Sequence, residues 1–351
     1  MPPKSRAAKT NSLGLSLDEY QGRPSTLCPG CGHNSISNQI TKMAFDLDIP
    51  QHRVIKMSGI GCSSKTPAYF LGRSHGFNAL HGRMPSVVTG ALMGNHQLYC
   101  VAVSGDGDTG SIGMGQYKHV LRRNIPFVYI IENNGVYGLT KGQFSATADE
   151  GQYLKYYGKN EMPPIDLALE AIIGGATFVA RSFSGDAKQV QALMQAAIHH
   201  RGTAVLDIIS PCVTFNNDET STKSYPYGKN NQVSLHEIKV VNPDFVDARS
   251  EITVDEYAEG EVIDVPMHDG TVIKLKKLGR EHDPRNRMQA IQVLEESQRD
   301  NLFLTGLIYY EEPRPTLADT ENLVDMPLAA ISEAQARPSK AVLDELMSKF
   351  K

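Results

Sequence analysis

The sequence feature that most constrains the fold is an apolar run that stops at an aspartate between two glycines. Residues 98–103 read Leu-Tyr-Cys-Val-Ala-Val and are followed closely by Gly105, Asp106 and Gly107. A short, continuous apolar run is typical of a parallel strand buried on both faces, and glycines allow the backbone to turn sharply at its end. Because open α/β sheets bind ligands at the carboxyl ends of their strands, Asp106 lies where a functional site is expected.

The segment that follows also contains an apolar strand that ends in polar residues. A helix is predicted over residues 112–123, and a second apolar strand over 127–131 leads into the sequence Glu-Asn-Asn-Gly at 132–135. The pattern predicts a strand–helix–strand unit with an acid at the end of one strand and amides at the end of the next.

These strand ends carry the oxygen atoms that a magnesium ion prefers. Asp106 offers a carboxylate, Asn134 an amide carbonyl and Val136 a backbone carbonyl, and Mg²⁺ commonly completes its coordination with substrate phosphates. The glycines around Asp106, together with Gly110, leave room for a diphosphate near a helix N-terminus. No P-loop follows the strand, and the glycines at 105, 107 and 110 do not form a dinucleotide-binding pattern. The sequence therefore predicts a Mg²⁺–diphosphate site.

The cysteines point to a second centre. Cys28 and Cys31 form C-x-x-C, and Cys62 and Cys212 follow predicted strands. Four thiolates can hold a [4Fe–4S] cluster, whereas a Cys₄ zinc site and a thioredoxin-like redox pair are the alternatives. The position of Cys62 on a glycine-rich turn near the predicted diphosphate favours a redox centre. Cys100, inside a predicted strand, is interpreted as a core residue.

Three further polar residues are candidates for catalysis. Lys65 follows Cys62 closely and is either a contact to diphosphate or substrate, or a surface lysine. His81 is either catalytic or a structural histidine. Lys141 follows the predicted Mg²⁺ loop, where a cation can meet the distal carboxylate of a dicarboxylic substrate; its alternative is a solvated loop lysine.

Alternating strands and helices over residues 34–212 predict an α/β fold, a doubly wound and mostly parallel sheet. We expect residues 1–24 to be a flexible N-terminal extension and residues 25–230 to be the cofactor-binding domain. Residues 231–351 are expected to form an appendage of a hairpin and helices, packed on the main domain or on a partner.

Composition excludes several classes of function. The formal charge of −4 argues against general nucleic-acid binding, and no run of 18 apolar residues predicts a membrane span. No apolar segment follows the basic N-terminal residues, so no secretory signal is predicted. Five cysteines, an odd number, indicate reduced thiols in a cytoplasmic protein rather than a disulfide framework.

Several motifs, in this order, resemble a known family. They are Cys-Pro-Gly-Cys-Gly-His at 28–33, Gly-Ile-Gly-Cys-Ser-Ser-Lys at 59–65, Gly-Asp-Gly at 105–107, Asn-Asn-Gly-Val-Tyr-Gly-Leu-Thr-Lys-Gly-Gln at 133–143 and Pro-Cys at 211–212. The Gly-Asp-Gly and Asn-Asn pair looks like the thiamine diphosphate motif. The whole set resembles the β subunits of the 2-oxoacid:ferredoxin oxidoreductases over residues 25–230, and most closely the 2-oxoglutarate branch.

The resemblance implies a thiamine diphosphate-binding domain with Mg²⁺ and one [4Fe–4S] cluster. The implied cluster ligands are Cys28, Cys31, Cys62 and Cys212, and the implied Mg²⁺ ligands are Asp106, Asn134 and Val136. The implied cofactor-binding residues are Ile60, Gly61, Cys62, His81, Gly105, Asp106, Gly107, Asp108, Asn134, Val136, Tyr137, Gly138, Leu139 and Thr140. Pyruvate-using relatives tend to carry a small residue in place of Lys141, so this lysine favours 2-oxoglutarate.

The implied reaction is the oxidative decarboxylation of 2-oxoglutarate to succinyl-CoA and CO₂ with reduction of ferredoxin, or its reverse as a carboxylating synthase. The implied partners are coenzyme A, ferredoxin and an α subunit, on which the family places the glutamate that activates thiamine. A pyruvate or broad-specificity enzyme is the first alternative. A non-redox thiamine enzyme and a zinc-binding partner protein are the others, and neither uses the whole set of motifs.

Overall fold

The strands and helices come from a computed structural model that describes residues 9–241, 262–266, 271–278, 282–312 and 314–350. The strands are β1 Val54–Ser58, β2 His75–Asn78, β3 Tyr99–Gly105, β4 Phe127–Asn133, β5 Val136–Tyr137, β6 Gln143–Phe144, β7 Tyr153–Leu154, β8 Gly158–Lys159, β9 Phe178–Phe183, β10 Thr203–Ile209, β11 Gln232–Ser234, β12 His236–Val241, β13 Val262–Pro266, β14 Val272–Lys277 and β15 Phe303–Tyr310. The α-helices are α1 Gly32–Asp46, α2 Met84–Gly94, α3 Met114–Arg122, α4 Leu167–Gly174, α5 Ala187–His199, α6 Tyr225–Asn231, α7 Arg287–Arg299, α8 Leu317–Thr320, α9 Glu333–Ala336 and α10 Lys340–Ser348. Short 3₁₀ segments lie at Leu17–Tyr20, Gln51–Arg53, Cys62–Ala68 and Leu328–Ala330, and a π-helical turn at Asp108–Ile112.

The main sheet has eight strands in the order β11-β15-β9-β10-β4-β3-β1-β2. The six strands from β9 to β2 run parallel, and β15 pairs with β9 in the antiparallel direction. Helices α1 and α5 cover one face, and α2, α3, α4 and α7 cover the other. The predicted doubly wound, mostly parallel α/β fold is confirmed.

Burial explains why the central strands are apolar throughout. Every residue of β4 and β10 is buried, because both faces of the sheet are covered by helices. Helix α4 begins where the Asp166 carboxylate accepts hydrogen bonds from the amides of Ala168 and Leu169, and ends at Gly175 in a left-handed conformation.

The parallel register brings four strand ends to one edge of the sheet. Ser58 of β1 pairs with Val103 of β3, and Gly105 pairs with Glu132 of β4. Asn133 in turn pairs with Ile209 of β10. The segments that follow these strands therefore emerge side by side, and they carry the predicted functional residues.

The N-terminal segment differs from its prediction. Residues 1–8 lie outside the described residues, but Leu17–Tyr20 forms a 3₁₀ turn and Tyr20 is fully buried. The Tyr20 hydroxyl donates to the carbonyl of Ile49 at 3.0 Å and its ring meets Phe45 edge-on. The segment from residue 9 to 24 thus packs on the sheet domain, through the buried Tyr20 ring and the partly buried side chains of Leu15 and Leu17.

The C-terminal segment, residues 231–351, also differs from its prediction, because its described part does not form a separate appendage. Strands β11 and β15 belong to the main sheet, and α7 packs in its core, so residue 230 does not divide two independent cores. Strands β13 and β14 pair antiparallel, as predicted for the hairpin, and β12 extends them to a three-stranded sheet. Within the described ranges, no helix has the length and apolar character needed to cross a bilayer.

Candidate active site

The ends of β1, β3 and β4, together with His33 of α1, line a narrow cleft with an empty volume of about 280 Å³. Its lining residues are His33, Ile60, Gly61, Cys62, Ser63, Gly105, Asp106, Gly107, Asp108, Asn134, Val136, Tyr137 and Gly138. The cleft thus brings the predicted diphosphate turn together with one of the predicted cluster cysteines. A larger cavity of about 730 Å³ lies beside Asn133 and Arg181, away from the cysteines.

Asp106 is a buried carboxylate surrounded by donors. Its Oδ2 atom accepts hydrogen bonds from the hydroxyls of Ser145 and Thr147 and from the amide of Gly135, whereas Oδ1 accepts one from the amide of Asn134. Burial raises the pKa of Asp106, and the two hydroxyls offset part of that rise. A bound cation would favour the ionised form further, which is the chemistry expected of a Mg²⁺ ligand.

The Asn134 amide is fixed by its own backbone surroundings. Its Oδ1 accepts a hydrogen bond from the amide of Val136 at 3.0 Å, and its backbone carbonyl accepts one from Asn216 Nδ2 at 2.8 Å. Oδ1 keeps a second lone pair for a cation. Asp106, Asn134 and Val136 therefore lie together, as a shared Mg²⁺ site requires.

Two glycines leave space that a side chain would fill. A Cβ atom on Gly107 would lie 2.5 Å from the Tyr137 ring, whose hydroxyl donates to the Gly107 carbonyl at 2.9 Å. A Cβ atom on Gly138 would lie 3.4 Å from the sulfur of Cys62 and 3.5 Å from that of Cys212. The backbone of Gly138 thus lies between the diphosphate turn and the sulfurs of Cys62 and Cys212.

Asp108 has local partners within the cleft. Its Oδ1 atom faces the imidazole of His81 and accepts from the amide of Gly82 at 2.9 Å, and its Oδ2 accepts from the Ser104 hydroxyl at 2.7 Å. His81 is partly exposed and does not line the cleft. Asp108 therefore orients His81 and the loop after β2.

The four predicted cluster cysteines converge from distant parts of the chain. Cys28 and Cys31 belong to the loop that begins α1, whose Gly32 amide donates to the carbonyl of Pro211, the residue before Cys212. Burial raises the pKa of Cys31 to about 12, with Cys212 and Cys62 among the neighbours that add to the rise. Burial also raises the pKa of Cys62 to about 11. Without a metal these two groups are thiols at neutral pH.

The spacing of the cysteines bears on which metal fits. A tetrahedral zinc ion with Zn–S bonds of about 2.3 Å needs four sulfurs about 3.8 Å apart. Among the residues described, no group of three or more His, Cys, Asp or Glu side chains is arranged to hold a single metal ion. The Cβ position of Gly138 lies within 3.5 Å of the sulfurs of Cys62 and Cys212, and four thiolates can hold either an iron–sulfur cluster or a zinc ion.

A buried acid and a buried imidazole lie between the cysteines and the sheet, and the sequence does not predict them. Glu132 is fully buried, and its carboxyl oxygens have no hydrogen-bond partner among the described residues. His33 Nε2 lies 3.9 Å from Glu132, and His33 Nδ1 lies 2.6 Å from the Ser210 hydroxyl. Burial lowers the pKa of His33 to about 4 and raises that of Glu132 well above its usual value. His33 is therefore neutral at pH 7, and burial favours the protonated form of Glu132.

The remaining predicted residues lie at the rim. Lys65 is half-buried in the turn that begins at Cys62, whereas Leu139, Thr140 and Lys141 are exposed and lie outside the cleft lining. Lys141 has a left-handed backbone with φ of 77°. Ile60, Gly61 and Tyr137, which the sequence predicts to bind the cofactor, line the cleft.

The fold and the cleft define a thiamine diphosphate-binding domain. Residues 57–208 match the family model for the C-terminal TPP-binding domain of thiamine pyrophosphate enzymes. This range runs from β1 to β10 and contains every strand end that forms the cleft.

Similar proteins narrow the class. Over 197 residues the chain is 39% identical to the 2-oxoacid:ferredoxin oxidoreductase subunit beta of a Sulfolobus species, covering 55% of this chain and 64% of that one. It is 33% identical over 241 residues to the 2-oxoglutarate synthase subunit KorB of Methanothermobacter thermautotrophicus, covering 67% of this chain and 82% of that one.

A solved structure agrees with these relatives. The structure of 2-oxoglutarate:ferredoxin oxidoreductase from Magnetococcus marinus, with 2-oxoglutarate, coenzyme A and succinyl-CoA bound, superposes with a TM-score of 0.73 at 27% identity. The match covers 96% of this chain and 97% of that chain. The chain belongs to the family of 2-oxoacid:ferredoxin oxidoreductase β subunits. Its sequence matches span 64%, 50% and 65% of the length of three of the curated relatives.

Proposed function

We propose that this chain is the β subunit of a 2-oxoglutarate:ferredoxin oxidoreductase. The reaction converts 2-oxoglutarate, coenzyme A and two oxidised ferredoxins into succinyl-CoA, CO₂, two reduced ferredoxins and one proton. The low potential of such couples permits the reverse, carboxylating direction. One observation carries the proposal: Asp106, Asn134 and Cys62 line the same cleft. A thiamine diphosphate and a cluster held by these residues would therefore be adjacent.

The proposed cofactors are thiamine diphosphate, Mg²⁺ and one [4Fe–4S] cluster. Asp106, Asn134 and the Val136 backbone would hold Mg²⁺, and the glycine turn would receive the diphosphate. Thiamine diphosphate supplies the electron sink that decarboxylation of a 2-oxoacid requires. Cys28, Cys31, Cys62 and Cys212 would hold the cluster, with Cys62 on the cleft side and Cys28 exposed to solvent.

The chain's own residues bind and orient rather than react. Tyr137 and Gly107 shape the wall against which the diphosphate lies. His81, held by Asp108, and Lys65 are proposed to contact the cofactor or the substrate from the rim. Lys141 is proposed to meet the distal carboxylate of 2-oxoglutarate, because its ammonium group is exposed beside the cleft.

The proposed assembly is an αβ pair, or a dimer of such pairs, in the cytoplasm. The α subunit would supply the glutamate that activates thiamine and part of the coenzyme A site. Residues beyond 316 are proposed to contact it, since α10 exposes Leu343, Leu346 and Met347 on one face. Ferredoxin would take electrons from the cluster.

Anaerobic copurification of the chain with its partner tests the proposal. We expect about four irons, four sulfides and one thiamine diphosphate per αβ unit, with a broad absorption band near 400 nm. Ferredoxin reduction with 2-oxoglutarate and coenzyme A should exceed that with pyruvate. A preference for pyruvate would leave the family assignment unchanged but would contradict 2-oxoglutarate as the substrate. Thiamine without iron, or zinc in its place, would contradict electron transfer and indicate a non-redox thiamine enzyme.

A further inference from the structure

A chain of hydrogen bonds runs from Asp106 into the centre of the sheet. The Thr147 hydroxyl lies 2.6 Å from Asp106 Oδ2 and 2.8 Å from Asn133 Oδ1. Asn133 Nδ2 donates to Asp207 Oδ1 at 2.9 Å, and Arg181 Nε donates to Asp207 Oδ2 at 3.0 Å. We call Thr147, Asn133, Asp207 and Arg181 the anchoring chain. Asn133 belongs to the motif at 133–143, whereas no motif in the sequence marks Thr147, Asp207 or Arg181.

The inner end of the anchoring chain is held by a doubly paired arginine. Besides Asp207, Arg181 donates through Nη2 to Asp166 Oδ1 at 2.5 Å. Asp166 also caps α4, so the guanidinium joins β9, β10 and the start of a helix. A planar guanidinium between two carboxylates resists rotation, and it therefore fixes the orientation of Asp207.

Asp207 in turn decides which way the Asn133 amide points. A carboxylate only accepts hydrogen bonds, so Nδ2 of Asn133 must face Asp207 and Oδ1 must face Thr147. The Thr147 hydroxyl has a single proton but two acceptors, Asn133 Oδ1 and Asp106 Oδ2. It can donate to either one, and it keeps contact with both.

The two oxygens of Asp106 are therefore not equivalent. Oδ2 accepts from three groups, which are the hydroxyls of Ser145 and Thr147 and the amide of Gly135. Among side chains and amides of other described residues, Oδ1 accepts one hydrogen bond, from the amide of Asn134 at 3.3 Å. An oxygen with one long hydrogen bond has lone pairs to give to a cation, whereas Oδ2 does not.

We propose that Thr147, oriented by Asn133, Asp207 and Arg181, is the positioning residue that holds Asp106 so that Oδ1 alone binds the divalent cation. The inference rests on the proposed function in that Asp106 is taken as a Mg²⁺ ligand. Because an ionised carboxylate only accepts hydrogen bonds, the Thr147 proton points to Asp106 Oδ2, and a cation on Oδ1 leaves that hydrogen bond in place. The site is thus built before the metal arrives.

A matched pair of variants in the copurified αβ complex tests this. Thr147→Val keeps the shape of the side chain and removes the hydroxyl, whereas Thr147→Ser keeps the hydroxyl. Mn²⁺ is titrated in the presence of thiamine diphosphate, and free Mn²⁺ is followed by electron paramagnetic resonance. Loss of a hydrogen bond to a metal ligand should weaken Mn²⁺ binding about 10- to 100-fold in Thr147→Val. Thr147→Ser should remain within about threefold of the wild type.

A double-mutant cycle tests the reach of the anchoring chain. Asp207→Asn leaves Arg181 paired with Asp166 but lets the Asn133 amide turn over, so Mn²⁺ binding should weaken. When Asp207→Asn is combined with Thr147→Val, Mn²⁺ binding should weaken little further, because loss of the Thr147 hydroxyl has already interrupted the anchoring chain. Full additivity, or wild-type Mn²⁺ affinity in Thr147→Val, would overturn the proposal. Iron content and melting temperature, unchanged between Thr147→Val and Thr147→Ser, exclude a folding defect.

These outcomes are separate from those of the proposed function. If the wild-type complex binds Mn²⁺ and thiamine diphosphate but does not reduce ferredoxin, the proposed reaction is contradicted. The Mn²⁺ titration of the Thr147 variants then still tests the anchoring chain. Wild-type complex that reduces ferredoxin while Thr147→Val binds Mn²⁺ normally would contradict the anchoring chain alone.

Discussion

The aspartate turn and the cysteine site lie on the same sheet edge but are prepared differently for their ligands. Around Asp106, hydroxyls and backbone amides already occupy one carboxylate oxygen and leave the other open. Around Cys31 and Cys62, burial raises both pKa values well above neutral, so the ligands are protonated until a metal displaces the protons.

The difference reflects what each ligand can supply. A Mg²⁺–diphosphate complex brings little bonding of its own to a protein, so the site must be organised by hydrogen bonds beforehand. An iron–sulfur cluster forms covalent bonds to four sulfurs, and those bonds can offset the cost of deprotonating buried thiols. Damage to the two sites should therefore have separable effects.

The largest separation is expected from Cys62→Ala. Removing one of four cluster ligands should abolish the cluster, while thiamine diphosphate binding should stay within about threefold because the Asp106 turn is untouched. Iron analysis measures loss of the cluster, and a titration with thiamine diphosphate measures cofactor binding. Cys100→Ala is the control, since Cys100 is buried in β3 and should leave the iron content intact. Loss of iron in the control would mean that iron content reports folding rather than ligation.

Alkylation of the metal-free chain should show the next effect. The thiolate is the reactive form, and a pKa of about 11 rather than 9.0 makes the Cys62 thiolate about a hundredfold rarer at pH 8. Its labelling rate should rise about tenfold per pH unit up to about pH 11. Cys28, which is exposed, should label first. Rates are measured by mass spectrometry of peptides from denatured samples. Equal rates at Cys28 and Cys62 at pH 8 would contradict the burial of the cluster site.

Gly107→Ala should affect only the aspartate turn. Its Cβ would meet the Tyr137 ring at 2.5 Å, so the turn must shift away from the diphosphate position, and thiamine diphosphate should bind about tenfold more weakly. Iron content should not change. Gly115→Ala is the matched control, because nothing lies within 4 Å of its Cβ position. If both variants bind equally well, Gly107 is not needed for close approach of the cofactor.

The smallest effect is expected from Lys141→Asn. Asparagine tolerates the left-handed backbone at this position, so the change removes the charge without adding strain. An exposed ion pair contributes about 1 kcal/mol at most, so kcat/KM for 2-oxoglutarate should fall about fivefold while that for pyruvate is unchanged. Parallel assays with the two substrates measure this. An equal fall in kcat/KM for both substrates would mean that Lys141 supports the structure of its loop rather than binding the substrate.

The sequence predicts the strands and the residues that follow them because both are local. Apolar runs indicate β3, β4 and β10, and the polar groups at their ends are adjacent in sequence to those runs. Asp106, Asn134 and Cys62 were placed in one cleft on that basis, and they line it.

The supporting residues could not be predicted in the same way. Thr147, Asp207 and Arg181 come from a loop and two different strands, and nothing local marks a buried polar residue as a partner of Asp106. Glu132 precedes Asn133 at the end of an apolar strand, and an acid within such a run is a signal for a buried carboxyl with a raised pKa. The sequence does not predict the packing of residues 9–24, because Leu15, Leu17 and Tyr20 are too few to indicate a regular element.

The antiparallel pairing of β15 with β9 has a consequence for how the chain is made. About 120 residues separate the end of β9 from the start of β15, so a growing chain presents an open β9 edge until nearly all of it has been synthesised. An uncovered strand edge invites pairing with other chains. Fragments that stop before residue 303 should therefore aggregate, although they contain every residue of the cleft. In this protein, β15 therefore covers the edge of a strand that left the ribosome about 120 residues earlier.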